Sequence, residues 1–216
     1  MVVAGSAHAL TPVAGVPMVR RAVRALLDTG LVDRVTVLAD TGSQQGSACA
    51  TERVRVRGAL RHALHGVEAH IVQRDDATGS DATTTASGDG IVLLHDACRP
   101  LAPGTLAAAV VDAVRGGHEM AVPVLALPDT VKRVDERALV TGAPDRSGLR
   151  VLQTPLATRS AFLPADVGDD PLQVVRAYTA AGGTVHTVPG HPAAFAVHSA
   201  WDLELAELVA GGKILL

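Results

Sequence analysis

Apolar positions alternate between short Val-rich runs and longer Ala/Leu-rich stretches with helical spacing. Val2-Val3-Ala4 reads as a short strand that runs straight into Gly5. From Pro17 to Leu27, the residues Val19, Ala22, Val23, Leu26 and Leu27 recur on one helical face with arginines on the other. This predicts an amphipathic helix that opens at Pro17 and stops at Gly30. Further strands are predicted at 34–39, 69–72, 91–94, 120–124 and 184–188, and helices at 58–65, 105–114, 171–181 and 202–209. Pro123 and Pro128 speak against a regular central strand at the fourth of these strands, because proline cannot donate to a ladder.

Strands that are nearly continuous Val, Leu and Ile, separated by helices, imply a mostly parallel sheet covered on both faces. Two segments depart from the pattern. Asp75 to Gly90 is loop-like and low in complexity, and 127–149 mixes proline, glycine and charge with short alternating segments. The second is expected to form a hairpin arm outside the sheet, so the expectation is one α/β domain over 1–216 with an arm.

The 216 residues suffice for a full hydrophobic core in one such domain. A net charge of -3 and 2% aromatic residues argue against a nucleic-acid or membrane-surface partner and leave little on which to stack bases. Cys49 and Cys98 are too few and too separated for a disulfide framework or a zinc site. No signal peptide is visible, and no apolar run approaches the roughly 18 residues of a membrane span, so a cytoplasmic protein is expected. Of the 19 basic residues only Lys132 and Lys213 are lysines, and any step that needs a lysine must use one of them.

Ligands of parallel α/β sheets bind beyond the carboxyl ends of the strands. Asp96 directly follows a predicted buried strand, where a carboxylate can hold a divalent cation against substrate phosphates or simply cap the next loop. Arg99 can clamp a phosphate or pair with a surface acid. The loop after the first strand, Ala4-Gly5-Ser6, either cradles phosphates with its backbone N–H groups or is a plain small-residue turn. His62 and His65 are three apart without a third ligand, and His186, His191 and His198 show no ligand pattern. Arg53, Arg55 and Arg57 alternate with valines, as in an edge strand.

Four segments, in chain order, resemble the 2-C-methyl-D-erythritol 4-phosphate cytidylyltransferase family. They are Val92–Pro100 (VLLHDACRP), Val122–Val134 (VPVLALPDTVKRV), Asp145–Pro155 (DRSGLRVLQTP) and Val197–Glu207 (VHSAWDLELAE). The resemblance implies a Rossmann-like nucleotidyltransferase fold and a homodimer whose arm reaches the partner's site. It also implies transfer from CTP to a phosphorylated polyol, methylerythritol phosphate, with Mg2+. By the same resemblance Asp96 would bind Mg2+ or the phosphopolyol, and Arg99 would contact that substrate. Asp129 and Thr130 would line its pocket, Arg146 would come from the other subunit to grip its phosphate, and Thr154 would sit beside it.

Ala4, Gly5 and Ser6 match the start of the family's nucleotide loop. Ala7 and Ala9 stand where the family has glycine and arginine, the segment with its Pro-Lys pair is missing before Pro12, and Ala196 replaces a lysine. Two alternatives therefore stay open: a catalytically impaired paralogue that binds a phosphorylated ligand or a partner, and a cytidylyltransferase for another polyol phosphate. Arg20 or Arg21 would be candidates to replace the missing cations, and Ala9→Arg with a restored lysine loop is the variant that the comparison suggests.

Overall fold

In chain order the elements begin with β1 (Val2–Gly5), a hairpin of β2 (Pro12–Val13) and β3 (Val16–Pro17), α1 (Met18–Leu27), β4 (Thr36–Ala39) and β5 (His70–Gln73). There follow β6 (Ile91–Asp96), α2 (Gly104–Arg115), β7 (Met120–Ala126), β8 (Arg133–Val134) and β9 (Val140–Gly142). The chain ends with β10 (Arg150–Leu152), β11 (Leu156–Arg159), α3 (Leu172–Ala180), β12 (Val185–Pro189) and α4 (Ala200–Ala210). This computed structural model describes residues 2–5, 7–39, 59–60, 62–67, 69–73, 90–163 and 170–216. Ser6, Cys49, Arg53, Arg55, Arg57 and nearly all of the Asp75–Gly90 segment lie outside the described residues.

Among the described residues, one eight-stranded sheet runs β5-β4-β1-β6-β11-β7, with β12 on the far side of β7 and β10 pairing β7 in line with β11. β1, β4, β5 and β6 pair in parallel, and so do β7 and β12. β11 runs against both β6 and β7, so these two point the same way, and only β10 and β11 oppose the rest. The α/β fold with a mostly parallel sheet is thus as the sequence predicts.

Pro123 is where local reading fails. β7 runs through it from Met120 to Ala126. Its carbonyl accepts the Gln153 N–H at 2.8 Å, on the side where β10 and β11 are separated by residues 153–155. The missing proline N–H falls at that interruption, where the ladder has no regular bond to lose.

Alternation along the strands sorts the core. Val92 and Leu94 of β6, Met120 and Val122 of β7 and Leu156 of β11 face Val174 and Val175 of α3. Leu93, Ala121 and Ala157 face the other way, into a cluster with α1, α2 and Ala206 of α4. α1 buries Val19, Ala22, Val23 and Leu26 of the stripe that its sequence spacing implies, adds Met18 to it and leaves Leu27 half-buried. α2 lies close to α1: a Cβ on Gly104 would stand 2.8 Å from Thr29 Cγ2.

α4 starts two residues earlier than the apolar spacing indicates. Ser199 caps it by accepting the Asp202 N–H, and the Asp202 carboxylate returns a bond to the Ser199 N–H, a reciprocal box that satisfies otherwise orphaned donors. The Ser199 hydroxyl, which also donates to the Asp202 carboxylate, and then the His198 N–H hold that carboxyl below its usual pKa. The 127–149 stretch carries β8 and β9 as a separate two-stranded sheet, with Leu139 and Val140 more than half exposed.

Candidate active site

β1 and β6 end side by side, Ala4 in register with Asp96. The loops that leave this edge are tied together by three successive hydrogen bonds. The His8 Nε2 lies 2.9 Å from the Val197 carbonyl, the Val197 N–H donates to the Cys98 carbonyl at 2.8 Å, and the Cys98 N–H donates to Asp96 Oδ1 at 2.8 Å. The first loop, the turn after β6 and the approach to α4 therefore form one rim around Asp96.

Asp96 keeps Oδ2 at the rim, 3.8 Å from Arg99 Nε. The Arg99 Nη1 donates to the Ala194 carbonyl at 2.7 Å, while its Nε is buried without a hydrogen-bond partner. Burial lowers the pKa of this guanidinium, and the Asp96 charge is the first of those that oppose the shift. The Arg99 guanidinium thus stands at the carboxyl edge of the sheet beside the Asp96 carboxylate, and its planar fork of donors is of the kind that matches carboxylate and phosphate oxygens.

Behind it the site is closed by buried polar side chains. Thr154 is fully buried; its Oγ1 accepts the Asp96 N–H at 3.1 Å and lies 3.0 Å from His95 Nδ1. His95, 1% exposed, has its pKa pushed down to about 3, by burial first and by the Arg99 charge second, so the ring is neutral near pH 7. Gln153 spans the next gap: its amide donates to the His191 carbonyl and its Oε1 accepts the His191 N–H, both at 2.9 Å. Gly190 has to be glycine beside it, because a Cβ there would stand 2.4 Å from Gln153 Oε1 and 2.8 Å from the Val124 carbonyl oxygen.

Asp96, Arg99 and Thr154 are thus brought together. Ala4 and Gly5 end β1 at the same edge. Asp129, Thr130 and Arg146 form a second, exposed group at the base of the arm, where Arg146 Nη1 donates to the Asp129 carbonyl at 2.8 Å. Among the described residues no hydrogen bond joins the two groups.

The candidates for replacement cations have other employment. Arg20 donates to the Ala63 carbonyl at 3.2 Å and Arg21 to the Val13 carbonyl at 2.9 Å. Ala9 is fully buried in the core cluster with Val13 and Met18, so this backbone does not offer its side-chain position to a ligand. Sequence reasoning misses His95, Gln153 and Gly190; the one available signal is a histidine and an aspartate closing an otherwise apolar run.

A family model described as 2-C-methyl-D-erythritol 4-phosphate cytidylyltransferase (IspD) matches residues 2–211. A protein of that name from Nocardia farcinica is 38% identical over 94% of this chain and 85% of its own length. Another from Saccharopolyspora erythraea is 37% identical over 95% of this chain and 92% of its own. The fold is also that of the enzyme of this name from Thermus thermophilus, at 24% identity and a TM-score of 0.70 over 97% of both chains. The 4-diphosphocytidyl-2C-methyl-D-erythritol synthase from Anaerococcus prevotii gives a TM-score of 0.73 at 18% identity, over 97% of this chain and 96% of that one. With a family match over nearly the whole chain and relatives at this identity, the chain belongs to the 2-C-methyl-D-erythritol 4-phosphate cytidylyltransferase family.

Proposed function

We propose that the chain transfers the cytidylyl group of CTP to 2-C-methyl-D-erythritol 4-phosphate, giving CDP-methylerythritol and pyrophosphate in isoprenoid biosynthesis. The observation that carries this reading is the rim itself. The end of the first strand, a carboxylate with one oxygen at the surface and a buried guanidinium with an unpartnered Nε meet at one sheet edge, in a chain matched to the family over nearly its whole length.

A phosphate oxygen of the polyol attacks the α-phosphorus of CTP, and the bond from that phosphorus to the oxygen bridging to the β-phosphate breaks as pyrophosphate leaves. No covalent enzyme intermediate is required, so the protein's task is to place two polyanions and offset their charge. Ala4, Gly5 and Ser6 receive the nucleotide with backbone N–H groups, and Arg99 faces the phosphopolyol. Asp129, Thr130 and Arg146 complete the polyol pocket from the base of an arm, with Thr154 behind the rim.

Mg2+ suits a site with a single carboxylate when phosphate oxygens and water supply the other ligands, and Asp96 Oδ2 is the oxygen available for it. When bound, the ion would draw phosphate charge toward itself. Among the described residues no group of three or more acidic, histidine or cysteine side chains converges on a metal position.

The arm is proposed to reach a second copy of the chain, supported by the exposed apolar surface of Val134, Leu139 and Val140. Serine at these three positions is expected to shift the protein from dimer to monomer in analytical ultracentrifugation. A cytoplasmic location is proposed as well; among the described residues no helix is long and apolar enough to cross a membrane. The binding-only reading and the other-polyol reading have no support in the relatives, both of which carry the same reaction in their names. Calorimetry separates the first of them: the proposal expects binding of CTP in the presence of Mg2+, and a phosphopolyol-only binder would show none.

A further inference from the structure

His95 is the buried titratable group for which charge neutralisation at the rim has no use. Its ring lies behind the rim, 1% exposed, and meets it at the Thr154 hydroxyl and at the Arg99 backbone. Thr154 stands opposite Asp96 at the point where the β6–β11 ladder, regular from Ile91 to Leu94, ends. There the Asp96 N–H is met by the threonine hydroxyl instead of a strand carbonyl. A hydroxyl rotates about its own Cβ–Oγ bond, and its Cβ about χ1, so one hydrogen bond to Asp96 does not fix it. The second bond, to His95 Nδ1, does.

We propose that His95 is a positioning residue: by holding the Thr154 hydroxyl it fixes the backbone of Asp96, and so the direction in which the Asp96 carboxylate meets its ligand. The carboxylate is then aimed by two bonds, one from the Cys98 N–H to Oδ1 and one from its own N–H to Thr154. Gln153, next to Thr154 in the chain, is already committed at both amide atoms to His191 and gives the hydroxyl no second anchor. Removal of an outer partner of this kind typically costs about 10–100-fold in activity or ligand affinity.

This inference rests on the proposed cytidylyltransferase activity for its kinetic readout, so it is tested with a second readout that does not. His95→Asn places a polar atom where Nδ1 was, whereas His95→Leu places none. His95→Leu is expected to lower kcat/KM for the phosphopolyol by about 10–100-fold and to speed hydrogen exchange at the Asp96 amide. His95→Asn is expected to recover at least about tenfold of that loss and to slow the exchange again, which a general packing defect would not allow. Thr154→Val should reproduce the leucine variant, Thr154→Ser should restore it in part, and His95→Leu combined with Thr154→Val should be no worse than the worse single change.

The inference is overturned if folded His95→Leu matches the wild type, if His95→Asn is no better than it, or if the two losses add. If His95→Leu does not fold, the valine and serine variants of Thr154 decide by the same criteria. Absence of pyrophosphate release from the wild type would remove the cytidylyltransferase reading alone. Exchange at the Asp96 amide in the same variants would still uphold or overturn the role of His95.

Discussion

Glu207 in α4 accepts the Ala14 N–H at 2.8 Å, joining positions 193 residues apart. The bond pins the tip of the β2–β3 hairpin, where Ala14 has φ +46 and Gly15 φ +72. Positive φ at both central residues is the type I′ pattern that Asn-Gly fills best, and alanine is strained in it. Ala14→Asn keeps the N–H and is expected to stabilise the protein by about 0.5–1 kcal/mol in urea unfolding. Destabilisation would mean that the tip is not held in this conformation.

An arginine introduced at position 9 is not expected to be accommodated. Ala9 is 0% exposed among Val13, Met18 and Val19, so Ala9→Arg buries a charge without a partner. The expected cost is about 3–5 kcal/mol, seen as a lowered melting temperature with no gain in turnover. A stable Ala9→Arg protein with higher activity would contradict this placement of the first loop.

Gly190→Ala is expected to cost about 1–3 kcal/mol and to loosen the approach to the rim. Its Cβ would meet the Val124 carbonyl oxygen at 2.8 Å, which is backbone and cannot rotate away, and Gln153 Oε1 at 2.4 Å. Faster hydrogen exchange at the His191 amide, with unchanged exchange in α1, would show that the damage is local.

His95 also gives a signed pH dependence. Its pKa falls from 6.5 to about 3 on folding, so below pH 6.5 the unfolded chain takes up a proton that the folded ring refuses. Stability from this group is complete above pH 6.5 and is lost as pH falls toward 3, at about 1.4 kcal/mol per pH unit. Between pH 7 and pH 5, wild type should lose about 2 kcal/mol more than His95→Asn in urea unfolding. Parallel curves for the two proteins would show that the ring is not buried as described.

The order and type of most elements are legible because buried parallel strands and amphipathic helices write their periods directly into Val, Leu and Ala positions. Pro123 misleads because its missing donor lies opposite a gap in a partner strand, and no local pattern records a partner's gap. The start of α4 escapes the apolar period because its signal is the Ser199–Asp202 box. Asp96 and Arg99 stand out in one short motif. His95, Gln153 and Gly190 do not, since their roles depend on Thr154, His191 and Val124, which long-range contacts bring to them. The employment of Arg20 and Arg21 is likewise invisible in the sequence, because their acceptors are backbone carbonyls.

The most direct measurement is pyrophosphate release by the pure protein with CTP, Mg2+ and 2-C-methyl-D-erythritol 4-phosphate. The account predicts release that requires all three and that falls when Arg99→Ala or Asp96→Asn is introduced. No release above background at high concentration of folded protein would contradict it.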